Sequence, residues 1–334
     1  MKNNSHRIFA TVLAGMVMTT TACQSGTISK NLTPVTLNEV AHSIFYAPQY
    51  AAIELGYFED EGLDVTLVNG AGADKVMTAL ISGDADIGFM GSEASIYTYA
   101  NGAEDYAVNF AQLTQRAGNF LVAAVPDDNF TWDKLNGTKV LGGRSGGMPQ
   151  MVFEYILKKN GIDPKTDLTI DQSISFGLTA AAFTSNDAEY TIEFEPFATA
   201  LELEGSGYVV ASLGTESGYV PYTAYCAKQS YIENNPQTIQ KFTNAIQKGI
   251  DYVNSHSAGE IAKVIQPQFK ETPLENITRI VERYQKQETW KTDVIFEADS
   301  FELLQNILDE AGELNERIPY EDLVNTEFAK EAKK

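Results

Sequence analysis

Cysteine is almost absent from the chain, with two residues, Cys23 and Cys226, in 334. Beyond residue 33 Cys226 stands alone, so no disulfide can form within the body and stability must come from the core. Histidine is equally scarce. The three present are not clustered with one another or with Cys226, which leaves a transition-metal site without a ligand set. No metal and no cofactor are expected. Positive charge is short, with 24 Lys and Arg against 45 Asp and Glu and a formal net charge of −21. That balance argues against nucleic acid and against adsorption to anionic lipid, and a solvated acidic surface accounts for it. Long apolar runs are missing as well. A membrane-spanning helix needs about 20 apolar residues, and no segment of this chain supplies 18.

What is present begins at the N-terminus. Lys2, His6 and Arg7 precede a short apolar run, Ile8–Met18. Its length suits a secretory core of about 7–15 residues. Thr20-Thr21-Ala22-Cys23, followed by the polar Gln24-Ser25-Gly26-Thr27, resembles the bacterial lipobox, although Thr20 stands where Leu is usual. The resemblance implies a signal peptide over 1–22, lipidation of Cys23, and a linker over 23–33. The chain is then expected on the extracytoplasmic face of the cell membrane, held there by its lipid.

From Pro34 onward, strand and helix patterns alternate. Val35–Val40 has the period of a half-buried strand, Pro48–Leu55 reads as a helix, and Leu63–Val68 as the next strand. Asp74–Ser82 is a helix stopped by Gly83, Ile87–Met90 a strand, and Ser92–Tyr99 a helix. Further units run through Phe120–Val125, Thr138–Leu141, Pro149–Lys159, Leu168–Ile174, Glu189–Glu193, Phe197–Leu203 and Tyr208–Ser212. Such alternation predicts an α/β fold with mainly parallel sheets. Beyond Tyr222 the pattern becomes amphipathic helices, at Pro236–Asn254, Ala258–Gln266, Leu274–Gln285 and Phe301–Ala311. The expected layout is one lobe from 34–114 plus 222–334 and a second from 115–221. Two crossings would join them, with a cleft between.

Four stretches carry a family resemblance. His42-Ser43-Ile44-Phe45-Tyr46-Ala47-Pro48-Gln49-Tyr50 leads into Ala52-Ile53-Glu54-Leu55-Gly56-Tyr57-Phe58. Glu61-Gly62-Leu63-Asp64-Val65, Gly83-Asp84-Ala85-Asp86-Ile87-Gly88-Phe89 and Phe194-Glu195-Pro196 follow in order. Together they resemble the solute-binding proteins for nitrate, sulfonates, taurine and thiamine-pyrimidine precursors. The resemblance implies a two-lobe type II periplasmic-binding-protein fold with a helical C-terminal segment. It also implies a small-molecule ligand and delivery to an ABC permease. A monomer is expected.

In doubly wound sheets, ligands meet the loops beyond the carboxyl ends of strands, at helix N-termini. Three loops qualify. The first offers His42, Phe45, Tyr46 and Gln49, of which the aromatics suit a core equally well. The second is Gly91-Ser92-Glu93, where helix capping and ligand contact can coexist. The third is Gly142–Gly147, with Arg144, Ser145, Gly146 and Gly147 as candidates. It lacks the Gly-Lys-Ser/Thr ending of a P-loop and the spacing of a dinucleotide fingerprint. Gln115, Arg116, Glu195 and Tyr222 lie near the expected crossings. Asp84 and Asp86 read as turn and capping residues. Carboxylates amid aromatics suit a flat, amine-bearing heterocycle, whereas an oxyanion site should be rich in Arg, Lys and N–H donors. The ligand expected is therefore an aminopyrimidine or similar vitamin precursor, with a sulfonate or other organic anion as the alternative. The same resemblance extends to fungal pyrimidine synthases with an iron-dependent, Cys-rich loop. This chain has no such loop, and no catalytic residue is expected.

Overall fold

A computed structural model describes residues 32–143, 145–174, 177–185 and 187–334. The expected signal peptide, Cys23 and most of the linker lie outside the described residues, as does Arg144.

Two five-stranded sheets organise the chain. The first takes the order β2-β1-β3-β10-β4 and the second β7-β6-β8-β5-β9. The first is built from β1 (Thr33–Glu39), β2 (Leu63–Asn69), β3 (Ile87–Gly91), β4 (Ala107–Thr114) and β10 (Thr223–Lys228). The second is built from β5 (Asn119–Ala123), β6 (Lys139–Leu141), β7 (Thr169–Asp171), β8 (Tyr190–Phe194) and β9 (Tyr208–Ser212). The chain therefore leaves the first sheet after Thr114 and rejoins it at Thr223. The sheets are mixed, which corrects the expectation of mainly parallel pairing. β1 pairs in parallel with β2 and β3, but β10 runs antiparallel between β3 and β4. In the second sheet β6 pairs in parallel with β7 and β8, while β5 runs antiparallel to β8 and β9. The two antiparallel strands, β5 and β10, are the first strands laid down after each crossing.

The first crossing is packed tightly. A Cβ on Gly118 would sit 2.6 Å from the Phe45 ring and 2.8 Å from that of Phe194. The long C-terminal helices Pro236–Ser255 and Leu274–Lys286 are amphipathic. Ile239, Phe242, Ile246, Ile250 and Val253 are buried on one, and Ile277, Ile280, Val281 and Tyr284 on the other. These side chains join a continuous apolar core that reaches both sheets. Burial of this kind contributes roughly 25 cal/mol per Å² of apolar surface. Asp84 accepts from the Ser82 hydroxyl at 2.8 Å and serves its own turn, whereas Asp86 accepts from the amide of Thr36 on β1 at 2.8 Å and so ties two distant segments together. Cys226 is fully buried, and burial alone pushes its thiol up to about 12, which makes it unreactive.

Glu193 on β8 is a buried carboxylate. It accepts from the Thr191 hydroxyl at 2.7 Å and the Thr179 hydroxyl at 3.0 Å. Burial outweighs those two bonds and pushes its carboxyl up to about 7.

Candidate functional site

A cavity of about 300 Å³ lies where loops from both sheets converge. The first sheet contributes Val40–Ser43 and Tyr46 beyond β1, Asn69 at the end of β2 with Ala71–Ala73 beyond it, and Gly91 and Glu93 at the end of β3. The second contributes Gly147–Pro149 after β6, Gly177, and Phe194, Glu195 and Phe197 at the end of β8, with Tyr222 and Thr223 at the second crossing. Those are carboxyl ends of strands followed by helices, as the doubly wound rule requires. Four helices begin at this wall; Ala73–Ser82, Glu93–Ala100 and Met148–Lys159 start without a side-chain cap, while at the start of Phe197–Glu204 the Glu195 carboxylate accepts from the Thr199 amide.

His42 forms part of the wall and is tied from both ends. Nδ1 meets Glu39 Oε1 at 2.8 Å and Nε2 meets the Gln268 carbonyl at 2.9 Å. Both partners are acceptors, so the imidazolium fits best, and the bond to Glu39 holds the His42 pKa above its ordinary 6.5. Glu39 is wholly buried beneath it and also accepts from Gln49 Nε2 at 2.7 Å and the Tyr50 hydroxyl at 2.8 Å. Phe269 stacks on the His42 ring at 4.8 Å.

Gly91 and Glu93 make a compact turn. A Cβ on Gly91 would lie 2.1 Å from Glu93 Oε2, so only glycine lets the carboxylate fold back over the strand end. Glu93 is buried, and its charge helps to hold the hydroxyls of Tyr46 and Tyr222 well above 10, where burial is the larger cause. The Tyr222 hydroxyl donates to Asn119 Oδ1 at 2.7 Å.

Glu195 reaches the cavity, but its carboxylate is already engaged. Oε1 receives Arg283 Nη1 at 2.5 Å and the Thr199 hydroxyl at 2.9 Å, and Oε2 receives the Thr199 amide at 2.9 Å. Burial raises its pKa, against the opposing pull of Arg283. The sequence gives no hint of this, since Arg283 lies 88 positions further along the chain.

Of the expected site residues, His42, Tyr46, Gly91, Glu93, Gly147, Glu195 and Tyr222 come together here. Others are placed elsewhere. Phe45 is fully buried behind the wall, between the rings of Tyr46, Phe194, Tyr222 and Tyr284. Gln49 bridges Glu39 and the Tyr225 hydroxyl in the interior. The Ser92 hydroxyl donates to the Pro221 carbonyl rather than capping a helix or facing the cavity. Gln115 donates to the Glu288 and Trp290 carbonyls, and Arg116 to the Gly214 carbonyl and Glu288, so both brace the first crossing. Ser145 is exposed and Gly146 bonds Gln150, and neither forms part of the wall. Gly143-Arg144-Ser145-Gly146-Gly147 also spells the Gly-x-Ser-x-Gly of a hydrolase elbow, but His42 is committed to Glu39 and Gln268 and does not serve Ser145. Beyond the expected residues, the wall includes the loop after β2, Ser43, Met148, Pro149 and Phe197. For the β2 loop the signal was available, because Gly70-Ala71-Gly72 stands between a strand and a helix.

A wider depression of about 510 Å³ lies along the edge strand β9, with Phe130, Trp132, Asp133, Asn160 and Glu216 around it. It shares no residue with the cavity at the strand ends.

Two mixed sheets linked by two crossings, with a cavity at their strand ends, define the α/β fold of periplasmic solute-binding proteins. Known structures share it. The alkanesulfonate-binding protein SsuA of Xanthomonas axonopodis pv. citri, bound to MOPS, superposes with a TM-score of 0.71 at 16% identity, covering 88% of this chain and 98% of that one. The nitrate-binding protein NrtA of Synechocystis PCC 6803 gives 0.72 at 16% identity, covering 90% and 88%. In sequence, residues 44–258 match the NMT1/THI5-like family, and the chain belongs to that family. It is 49% identical over 300 residues to YtlA of Bacillus subtilis (strain 168), itself classed as a binding protein by inference, with 90% of each chain covered. A 4-amino-5-hydroxymethyl-2-methylpyrimidine phosphate synthase of Aspergillus parasiticus is 23% identical over 232 residues, 66% of each chain.

Proposed function

We propose that this chain is the lipid-anchored, solute-binding component of an ABC importer and carries a flat, amine-bearing heterocycle of the aminopyrimidine class. One observation carries the choice of ligand. The charged side chains in the wall, among the described residues, are His42, Glu93 and Glu195, and no Lys or Arg lines the cavity itself, Arg283 pairing with Glu195 from behind the wall. Tyr46, Phe194, Phe197 and Tyr222 supply aromatic surface for a planar ring. With Glu195 engaged by Arg283 and Thr199, the buried Glu93 carboxylate is the group that favours donors such as ring N–H and amino groups. The pyrimidine named in the fungal relatives supports the same class. A second reading, an organic anion, has a specific observation behind it in the three uncapped helix starts at the wall, which favour negative charge. The ligands named for SsuA and NrtA point the same way.

In this proposal residues 34–114 with 222–334 and residues 115–221 act as two lobes that close on the ligand as a monomer. The protein binds without chemical turnover and hands its cargo to the permease. Calorimetry with 4-amino-5-hydroxymethyl-2-methylpyrimidine, an alkylsulfonate and nitrate decides between the readings. Binding of the pyrimidine alone is expected, and binding of the anions alone would overturn the heterocycle reading. For the anchor, Cys23→Ala should release the protein from membranes. Unchanged retention would count against lipidation.

A further inference from the structure

The segment Phe194–Phe197 forms one wall of the cavity and is held from two directions. On one side the Ser43 hydroxyl, beyond β1, donates to the Glu195 carbonyl at 2.9 Å. On the other, the helix Leu274–Lys286 presents Arg283. Its guanidinium spans Glu195 Oε1 at 2.5 Å and Glu202 Oε2 at 2.7 Å, and lies 5.1 Å from the Phe120 ring centre. Arg279 reaches the same Glu202 oxygen at 2.9 Å. The Glu195 side chain is 0% exposed and that of Arg283 20%. Burying a carboxylate this deeply without a counter-charge would be costly. The helix that carries the counter-charge contributes no residue to the cavity wall.

We infer that Arg283 is a positioning residue for ligand capture: through its ion pair with Glu195 it fixes the Phe194–Phe197 wall against the loop beyond β1. This rests on the cavity being the ligand site. The groups facing Glu195 are Arg283 and Tyr284 from the C-terminal helix and Glu202 from its own helix. The other titratable groups lining the cavity are His42, Tyr46, Glu93 and Tyr222. Without Arg283 the buried carboxyl must take up a proton to stay folded in place, and proton uptake is easy in acid and hard in alkali. Removing both members of the pair relieves that demand.

The test uses purified Arg283→Met, Arg283→Lys and the double variant Arg283→Met/Glu195→Gln. Urea denaturation at pH 5 and pH 8 reads the stability. Calorimetry with 4-amino-5-hydroxymethyl-2-methylpyrimidine reads the affinity. Arg283→Met should lose more stability relative to wild type at pH 8 than at pH 5, and should bind the pyrimidine roughly 10-fold or more weakly, the range for a lost charged hydrogen bond. Arg283→Lys should fall between. The double variant, with no carboxyl left to titrate, should lose no more stability than wild type between pH 5 and pH 8. An equal loss at both pH values with unchanged affinity would overturn the inference. Should Arg283→Met not fold, recovery of folded protein in the double variant supports the pairing and its failure overturns it. If wild type ignores the pyrimidine, that ligand reading fails, while the two pH profiles still decide whether Arg283 holds Glu195.

Discussion

Replacing Glu193 by Gln should stabilise the protein in mild alkali and leave it nearly unchanged in acid. The carboxyl sits in the second sheet with two threonine hydroxyls as partners, and burial lifts it from an ordinary 4.5 to about 7. The folded state therefore binds a proton that the unfolded chain has already released. Stability from this group is fully present below pH 4.5 and declines as pH rises, and it is gone above about 7. At about 1.4 kcal/mol per pH unit, the interval from 4.5 to about 7 corresponds to about 3 kcal/mol, an upper figure for a group held by hydrogen bonds. Glutamine keeps the shape. Its oxygen can accept from Thr191 and its amide can donate to the Thr179 hydroxyl, with no charge left to desolvate. Urea denaturation at pH 4, 6 and 8 should show the wild type losing stability across that span and the variant losing less, so that the variant is the more stable by up to about 3 kcal/mol at pH 8. Parallel curves at all three pH values would refute the argument.

His42 should titrate above 6.5 by proton NMR, because Glu39 and the Gln268 carbonyl both favour the imidazolium; its stabilising contribution is present below 6.5 and lost as pH passes the raised folded value, and a midpoint at or below 6.5 would disprove the pairing. Gly91→Ala sets a methyl against the Glu93 carboxylate, the movable end of a flexible side chain beside the cavity, so the carboxylate should swing aside at a cost below about 1 kcal/mol in urea denaturation, and a loss of about 3 kcal/mol would show that the turn is locked. Small-angle scattering should record a smaller radius of gyration on ligand addition, and a tight ligand that leaves the radius unchanged would speak for a cleft closed beforehand.

Most of the elements in this fold are legible in the sequence because their apolar spacing is regular. β4 and β10 are not. Ala107–Thr114 is buried at every position yet includes Asn109, Gln112 and Thr114, so neither an alternating nor a continuous apolar pattern marks it. Two of them are met by partners distant in sequence, Thr223 for Thr114 at 2.5 Å and the Leu323 carbonyl for Asn109 at 3.2 Å, while Gln112 donates to the Thr114 carbonyl at 2.9 Å. The site shows the same division. Loops at strand ends could be found from the α/β alternation, which is how His42, Gly91, Glu93 and Gly147 were reached. The commitment of Gln49 to Glu39, of Ser92 to Pro221 and of Glu195 to Arg283 depends on long-range packing, and a chain read locally carries no trace of it.

The position of β10 bears on the order in which the molecule can assemble. β4 borders the first sheet through β10 alone, and β10 begins at Thr223. A chain emerging from its N-terminus has β1, β2 and β3 in hand by residue 91, but β4 has no strand to lie against until more than a hundred further residues have followed it. The second sheet has no such wait, since all five of its strands lie between Asn119 and Ser212. Closing the long loop is the entropic barrier to the first sheet. A truncation before Thr223 would accordingly spare every strand of the second sheet and leave the first split, with β4 as an unpaired edge open to association with other chains.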